Sequence, residues 1–183
     1  MRINLISTLV FILLNGTVVT GQIFKTSEAS VYFQSDAPLE LIEAKSQSLQ
    51  GAINPDYRTF AFSIPIRSFQ GFNSPLQREH FNENYMESGQ FPQAVFTGKI
   101  IEKINFTKDG KYTLRAKGKL TIHGITQERI IKSQLEIKDG ELYIKTNFTI
   151  LLDEHQIRVP RIVYQKIAKE IMVNIYAVFS MEY

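Results

Sequence analysis

The sequence predicts an all-β fold, an antiparallel barrel of about eight strands with one short helix. Several segments alternate apolar and polar residues with a period of two, which is the pattern of a strand with one buried face. Short turn signals separate these segments, and about eight strands are enough for a sheet to close on itself. One segment, residues 74–92, has helical spacing instead.

The N-terminal residues have the layout of a secretory signal peptide. Arg2 precedes an apolar run from Ile3 to Leu14, and small residues follow. Polar residues interrupt this run too soon for a membrane-spanning helix, so we expect no stable membrane insertion. We expect cleavage near Gly21, which divides the chain into a signal peptide, 1–21, and one domain, 22–183. The predicted location is the periplasm or the outside of the cell.

Composition and charge argue against a disulfide-stabilised protein and against a nucleic-acid-binding protein. The chain has no cysteine, so packing and hydrogen bonds have to stabilise it without disulfides. Its formal net charge is +3, and the lysines and arginines are spread along the chain. We therefore expect no nucleic acid as a partner, because a basic patch or stripe is the usual footprint of such binding.

The first strands are predicted from runs near 30–36 and 39–54 and from 58–66, where the alternation is clear. In the third run, one face carries Phe60, Phe62, Ile64 and Ile66.

The helix is predicted near residues 75–88. Ser74 is the expected N-cap, Pro75 the first helical residue and Gly89 the stop signal. The side that should lie against the barrel carries Leu76, Phe81, Tyr85 and Met86.

The later strands are predicted at 94–104, 112–123, 142–152 and 171–181. In 112–123 the apolar face carries Tyr112, Leu114, Ala116, Gly118, Leu120 and Ile122, and in 171–181 it carries Val173, Ile175, Ala177 and Phe179. Asp109-Gly110 and Asp139-Gly140 predict two tight hairpins, since type I′ turns need positive φ at their central residues.

Catalytic and metal sites are not predicted. The chain has no Gly-x-Ser-x-Gly elbow and no glycine-rich phosphate loop. His80 and Glu83 supply too few ligands for zinc. His155 follows Asp153 and Glu154, a grouping that fits either acid–base chemistry or a polar turn. His123 should lie on the wet face of its strand, where Gly124 lets the chain leave the strand geometry.

Aromatic residues are more informative, with 13 Phe and 8 Tyr but no Trp. In a filled barrel they would pack together, whereas in a hollow barrel they would form walls around an apolar ligand, and the period leaves both alternatives open. The candidate lining residues are Phe33, Phe60, Phe62, Phe81, Tyr85, Phe96, Leu120, Ile122, Phe148 and Phe179.

Three stretches in order resemble the YceI-like family of exported lipid-binding proteins. "REHFNENYMESGQFPQAVFTGKI" (78–100) is similar to the family's helix, turn and following strand. "GKLTIHGIT" (118–126) is similar to its most recognisable motif, and "IMVNIYAVF" (171–179) to its last strand. The family-motif positions are Arg78, His80, His123 and Gly124.

The resemblance implies a lipocalin-like barrel with a helix at its side, enclosing an elongated apolar tunnel. It implies binding, carriage or sequestration of a long apolar lipid, isoprenoid or fatty-acid-like, without catalysis and without a cofactor other than the bound lipid. The compact segment between 147 and 171 leaves the ligand length open. A homodimer is possible. Two alternatives are a filled barrel that serves as a structural or stress-response interaction module, and a small hydrolase or isomerase using His80, His123 or His155.

Overall fold

The computed structural model describes residues 22–182. The predicted signal peptide and its cleavage near Gly21 lie outside these residues. The described strands are β1 (Ile23–Ala37), β2 (Glu40–Ser46), β3 (Gln50–Asn54), β4 (Thr59–Pro65), β5 (Gln93–Ile100), β6 (Gly110–Ile122), β7 (Ile125–Lys138), β8 (Glu141–Leu151) and β9 (Glu170–Glu182). Helix α1 (Pro75–His80) runs into a π-helical turn, Phe81–Tyr85, and the 3₁₀ turns are Ile66–Ser68, Leu152–His155 and Arg161–Val163.

The sheet is antiparallel and closed, which confirms the predicted fold class. Neighbouring strands follow the chain order from β3 to β9, and β1 pairs with β9 to complete the circle. β2 and β3 share one position beside β1, since β2 pairs with its end and β3 with Phe24 and Lys25. The barrel therefore has eight strand positions.

The prediction of one continuous strand over 39–54 is wrong. The Ser46 hydroxyl lies 2.6 Å from the Ser68 hydroxyl and accepts a hydrogen bond from the Ser48 amide at 3.1 Å. Backbone bonds also join Lys45 to Gln70. Because these distant partners hold the chain at the end of β2, it leaves the ladder there and rejoins it at β3.

One of the two predicted hairpins is present. Asp139 and Gly140 have φ of 53° and 79° and join β7 to β8 directly, as a type I′ turn requires. Asp109-Gly110 forms no such turn, because β5 already ends at Ile100 and a loop, 101–109, intervenes. Glu102 fixes this loop by accepting hydrogen bonds from the Arg115 amide at 2.6 Å and its guanidinium at 2.7 Å.

The alternating patterns confirm the predicted buried faces. In β6, Leu114, Ala116, Leu120 and Ile122 are buried while the lysines point outward. β7 is absent from the strands predicted above. Its adjacent pair Ile130-Ile131 breaks the alternation, and the structure exposes the first and buries the second.

The predicted helix is confirmed, including its cap. The Ser74 hydroxyl accepts a hydrogen bond from the Gln77 amide at 3.1 Å, and the Met86 amide closes the π turn on the Phe81 carbonyl at 2.9 Å. The Phe81 ring stacks on Phe33 of β1 with centroids 5.4 Å apart. Leu76 differs from expectation, since it is 58% exposed at the edge of the barrel. Within residues 22–182 no helix combines the length and apolar character that crossing a membrane requires.

Candidate ligand cavity

The barrel is hollow and contains a cavity of about 570 Å³. Side chains from the barrel strands, from α1 and from the segment 152–167 form its wall. Along β6 the lining runs from Leu114 to Ile122, a distance of about 26 Å at ~3.3 Å per residue. This open volume argues against the filled-barrel alternative, even though Phe62 of β4 and Phe179 of β9 meet across part of the interior with ring centroids 5.6 Å apart.

All ten side chains proposed from the sequence as barrel lining lie on this cavity wall. They form two aromatic groups. Deeper in the barrel, Phe60 packs against Phe62 and Phe96, with ring centroids 5.2 and 4.8 Å apart. Nearer the helix, Phe81 packs against Phe33 and Phe72. Aromatic rings thus line the wall at two levels.

Polar groups on the wall are distributed unevenly. Within the barrel they are uncharged, chiefly the hydroxyls of Ser63, Ser133 and Thr146. The titratable and charged lining side chains, apart from Tyr85, are Glu40, His80 and Lys166, and they lie at the end that α1 covers. The cavity therefore offers an apolar interior with its charge at one end.

One end of the cavity is closed. Phe106, in the loop 101–109, packs against Phe24 of β1 with ring centroids 6.1 Å apart. Leu135 and Leu142 are 1% and 0% exposed beside them. None of these four side chains lines the cavity, because they form a solid core that plugs this end of the barrel.

The other end is the mouth. The exposed lining residues are Ser74, Leu76, His80 and Lys166. The β1–β2 turn is held to both sides of this opening, since Leu39 donates its amide to the Gln165 carbonyl at 2.8 Å and Glu40 accepts from the Gln77 side chain at 2.9 Å. The opening therefore lies between α1 and the segment 161–168.

Tyr85 lies on the wall just inside the helix. Burial raises the pKa of its phenol above the ordinary value. The neutral phenol therefore persists at physiological pH and adds no charge to the interior.

His123 holds three elements together and does not project from the wet face of β6. With Gly124 it forms the β6–β7 turn, at φ of 51° and 72°. Its Nδ1 bonds the His155 carbonyl at 3.1 Å and its Nε2 bonds the Glu87 carboxylate at 2.7 Å. Both partners are acceptors, so a ring nitrogen that carries a proton donates to the partner it faces.

Gly124 is required by contact as well as by its φ. A Cβ at this position would lie 2.5 Å from the ring of Phe91, closer than any real Cβ contact. The Phe91 ring in turn meets the His123 ring edge-on, with centroids 4.7 Å apart. The two motif residues thus form one packed corner next to the helix end.

The other two motif residues lie on α1. Arg78 donates from its guanidinium to the Arg67 carbonyl at 3.0 Å, which ties the helix to the turn after β4. His80 lies exposed at the mouth and takes no part in the hydrogen bond between His123 and Glu87. Among residues 22–182 no three His, Cys, Asp or Glu side chains gather as a metal site would require.

His155 is buried in the wall and 1% exposed. Its Nδ1–H donates to the Ile125 carbonyl at 3.1 Å, and burial lowers its pKa below the ordinary value. Its neighbours point elsewhere, with Asp153 exposed and Glu154 bonded to Arg129 at 2.9 Å. The acid–base grouping suggested by the sequence therefore does not form.

A slit between β7 and β8 was not anticipated from the sequence. β7 pairs with β8 only from Ser133 onward, whereas its first half has no backbone partner on that side. Side chains seal the gap: Arg129 donates to the Thr149 carbonyl at 2.6 Å and Gln127 to the Glu154 carbonyl at 2.7 Å. A long-range pairing offset of this kind leaves no signal in local alternation.

These features define a class of protein: a small, closed antiparallel barrel with a side helix and a one-ended apolar cavity. The chain belongs to the YceI-like family, whose domain model matches residues 12–179. The predicted family is therefore confirmed.

Known proteins similar to this chain are consistent with that assignment. A UPF0312 protein of Pseudomonas fluorescens is 25% identical over 72 residues, 38% of this chain and 36% of that protein. A polyisoprenoid binding domain from Saccharophagus degradans, implicated in plant cell wall breakdown, has a TM-score of 0.73 at 10% identity, covering 88% of this chain and 99% of that one.

Two further solved structures share the fold. Burkholderia cenocepacia BcnA has a TM-score of 0.68 at 14% identity over 82% of this chain and 95% of that one. The Campylobacter jejuni YCEI protein has a TM-score of 0.53 at 15% identity over 100% and 99%. At these identities the likeness establishes the fold.

Proposed function

We propose that this chain is an exported, non-catalytic carrier or sequestering protein for a long apolar lipid, isoprenoid or fatty-acid-like, held in the barrel cavity. The observation that carries the proposal is the distribution of polarity along the wall. The interior is lined mainly by aliphatic and aromatic side chains, and among the described lining residues the charged side chains lie at the mouth. The similar fold described as a polyisoprenoid binding domain supports this ligand class.

Burial of the ligand chain supplies the affinity. Each methylene transferred from water contributes about 0.8 kcal/mol, so a long tail binds without many polar contacts. The charged lining residues, Glu40, His80 and Lys166, then lie where a polar end group would remain in contact with water. We therefore place the tail in the barrel and the end group at the mouth.

Catalysis is the weaker alternative. His123 and His155 bond backbone and carboxylate acceptors, His80 is exposed at the mouth, and within residues 22–182 none of the three hydrogen-bonds a serine or threonine hydroxyl as a base would bond a nucleophile. The chain is proposed to act by binding alone.

Native mass spectrometry of protein purified from its own host under mild conditions tests the proposal. We expect a bound apolar molecule, or uptake of isoprenoids and fatty acids added from a small volume of ethanol. Protein that emerges without ligand and takes up neither class would contradict the proposal.

The variant Ala116→Phe should shorten the cavity. Ala116 lies on the inner face of β6 and is 7% exposed, so a phenyl ring there occupies cavity space near the closed end. We expect the variant to retain short-chain lipids and to lose at least tenfold in affinity for the longest ones, since each displaced methylene removes about 0.8 kcal/mol. Competition between chain lengths, read by native mass spectrometry, measures this.

Ala61→Phe is the matched control, because Ala61 faces outward from the same barrel. It should leave the order of preference unchanged. Circular dichroism and thermal unfolding show whether both variants fold. Folded Ala116→Phe with the preference of the original chain would place the ligand elsewhere.

A further inference from the structure

The mouth of the cavity has an exposed apolar edge. Four large hydrophobic side chains there are 51–92% exposed: Leu39 at 66%, Leu76 at 58%, Ile162 at 92% and Tyr164 at 51%. Leu76 lines the opening, Leu39 is bonded to Gln165, and Ile162 and Tyr164 flank the lining residue Val163. We call these four residues the rim. Their common location at the opening distinguishes them from the single exposed hydrophobic residues that any surface carries.

Positive charge accompanies the rim on one side. The segment 155–169 contains four cations and no Asp or Glu: Arg158, Arg161, Lys166 and Lys169. In the described part of the chain, none of these four forms a salt bridge. Two of the carboxylates on the helical side are already engaged, Glu83 by Arg67 and Glu87 by His123.

We propose that the rim docks on an anionic phospholipid bilayer, with Ile162 and Tyr164 inserted and the four cations against the phosphates. Apolar side chains flanked by Lys and Arg match a bilayer surface. The bilayer interface accepts the apolar side chains, and the anionic head groups attract the Lys and Arg side chains. A docked rim would bring the mouth against the lipid layer, so that a lipid could pass into the cavity without crossing water. This inference rests on the proposed function and adds the source from which the ligand is taken.

A single tryptophan gives a direct test, because the chain contains none. In Ile162→Trp we expect a blue shift of the fluorescence on adding vesicles of phosphatidylcholine mixed with phosphatidylglycerol, and a much smaller shift with phosphatidylcholine alone. Ile130→Trp is the control, since Ile130 is 60% exposed on the outside of β7, away from the mouth. Equal shifts at both positions, or none at position 162, would overturn the proposal.

Charge variants test the electrostatic part. The double variant Arg158→Gln, Arg161→Gln should weaken partitioning onto the mixed vesicles roughly fivefold for each cation removed. The matched control is Lys117→Gln, Lys119→Gln on the exposed face of β6, which should change little. Equal losses in the two pairs would assign the binding to net charge and overturn a docking site at the rim.

Ile162→Glu separates docking from lipid binding. Ile162 does not line the cavity, so the variant should still take up lipid delivered from ethanol. It should bind mixed vesicles at least tenfold more weakly and extract lipid from them more slowly.

The two proposals fail in different ways. If the original chain takes up no lipid from ethanol, the proposed function itself is contradicted. If it takes up lipid from ethanol but does not bind vesicles, only docking is contradicted. A dimer in sedimentation that Ile162→Glu dissociates would assign the rim to a second copy and overturn the membrane proposal.

Discussion

At the scale of single residues, His123 connects elements of the fold, whereas the sequence alone left it as a candidate reactive group. Its ring bonds the carbonyl of His155 and the carboxylate of Glu87, so the β6–β7 turn, the turn after β8 and the end of the helix meet at one imidazole. A backbone φ of 51° is costly for most residues, which shows that the surrounding contacts stabilise the position.

His123→Ala should lower the free energy of unfolding by about 2 kcal/mol, because the imidazole no longer bonds its partners and alanine also disfavours the left-handed backbone. Urea denaturation measures it. His123→Asn is the control for the backbone, since asparagine tolerates positive φ but its shorter side chain cannot bridge both partners. If neither variant is less stable than the original chain, the imidazole does not connect these elements.

His155 predicts a pH dependence of stability. Burial lowers its pKa in the folded chain, so the unfolded chain binds the proton more readily. The free energy of unfolding should therefore be highest above the ordinary pKa of 6.5 and should fall as the pH drops from there to the lowered folded-state pKa. Urea denaturation across this range, compared with His155→Gln, measures the contribution. An identical pH profile in the variant would show that the imidazole is not held neutral by burial.

At the scale of elements, local patterns and distant partners differ in what the sequence reveals. The alternation in β6 and the Ser74-Pro75 start of the helix are local, and both were predicted correctly. The break between β2 and β3 depends on Ser68, which is distant in sequence from Ser46. The prediction of a strand over 94–104 is wrong beyond Ile100, because the loop 101–109 packs through Phe106 against Phe24, a partner that is distant in sequence.

The candidate site also has a part that local patterns predict and a part that depends on distant contacts. Its lining could be predicted, because inward side chains of a strand are fixed by parity. The position of the mouth could not be predicted, since it depends on where α1 and the segment 161–168 come to lie. The close approach of β5 and β6 could not be predicted either, because it depends on the register between the two strands. Gly98 and Gly118 lie opposite each other, and a Cβ on Gly118 would be 2.2 Å from the Thr97 carbonyl.

The slit between β7 and β8 predicts a weak place in the wall. Arg129→Ala removes the bonds to Glu154 and to the Thr149 carbonyl, and should lower the free energy of unfolding by about 1–2 kcal/mol. It should also speed amide hydrogen exchange in the turn Leu152–His155 and at Ile157, whose amide bonds to Leu152 at 3.0 Å.

Lys132→Ala is the control for this experiment, because Lys132 is exposed on the same strand. Exchange that is unchanged by Arg129→Ala, or changed equally by both substitutions, would show that the slit is sealed by other contacts.

At the scale of the whole molecule, stability and cavity occupy different parts of one barrel. The end around Phe24, Phe106 and Leu142 is packed solidly, whereas the end under α1 encloses open space. With no cysteine in the chain, the packed end and the closed hydrogen-bond ladder are the main sources of stability. The mouth can therefore remain open without leaving the fold unsupported.

The plug formed by the loop 101–109 has a kinetic consequence. Under the proposed function, a cavity closed at one end gives the bound lipid a single exit, so the first lipid has to dissociate before the second can enter. In stopped-flow displacement of a fluorescent fatty acid, the observed rate should stay constant as the unlabelled competitor is increased. A rate that rises with competitor concentration would indicate a second opening; a constant rate would mean that dissociation of the bound lipid alone limits exchange.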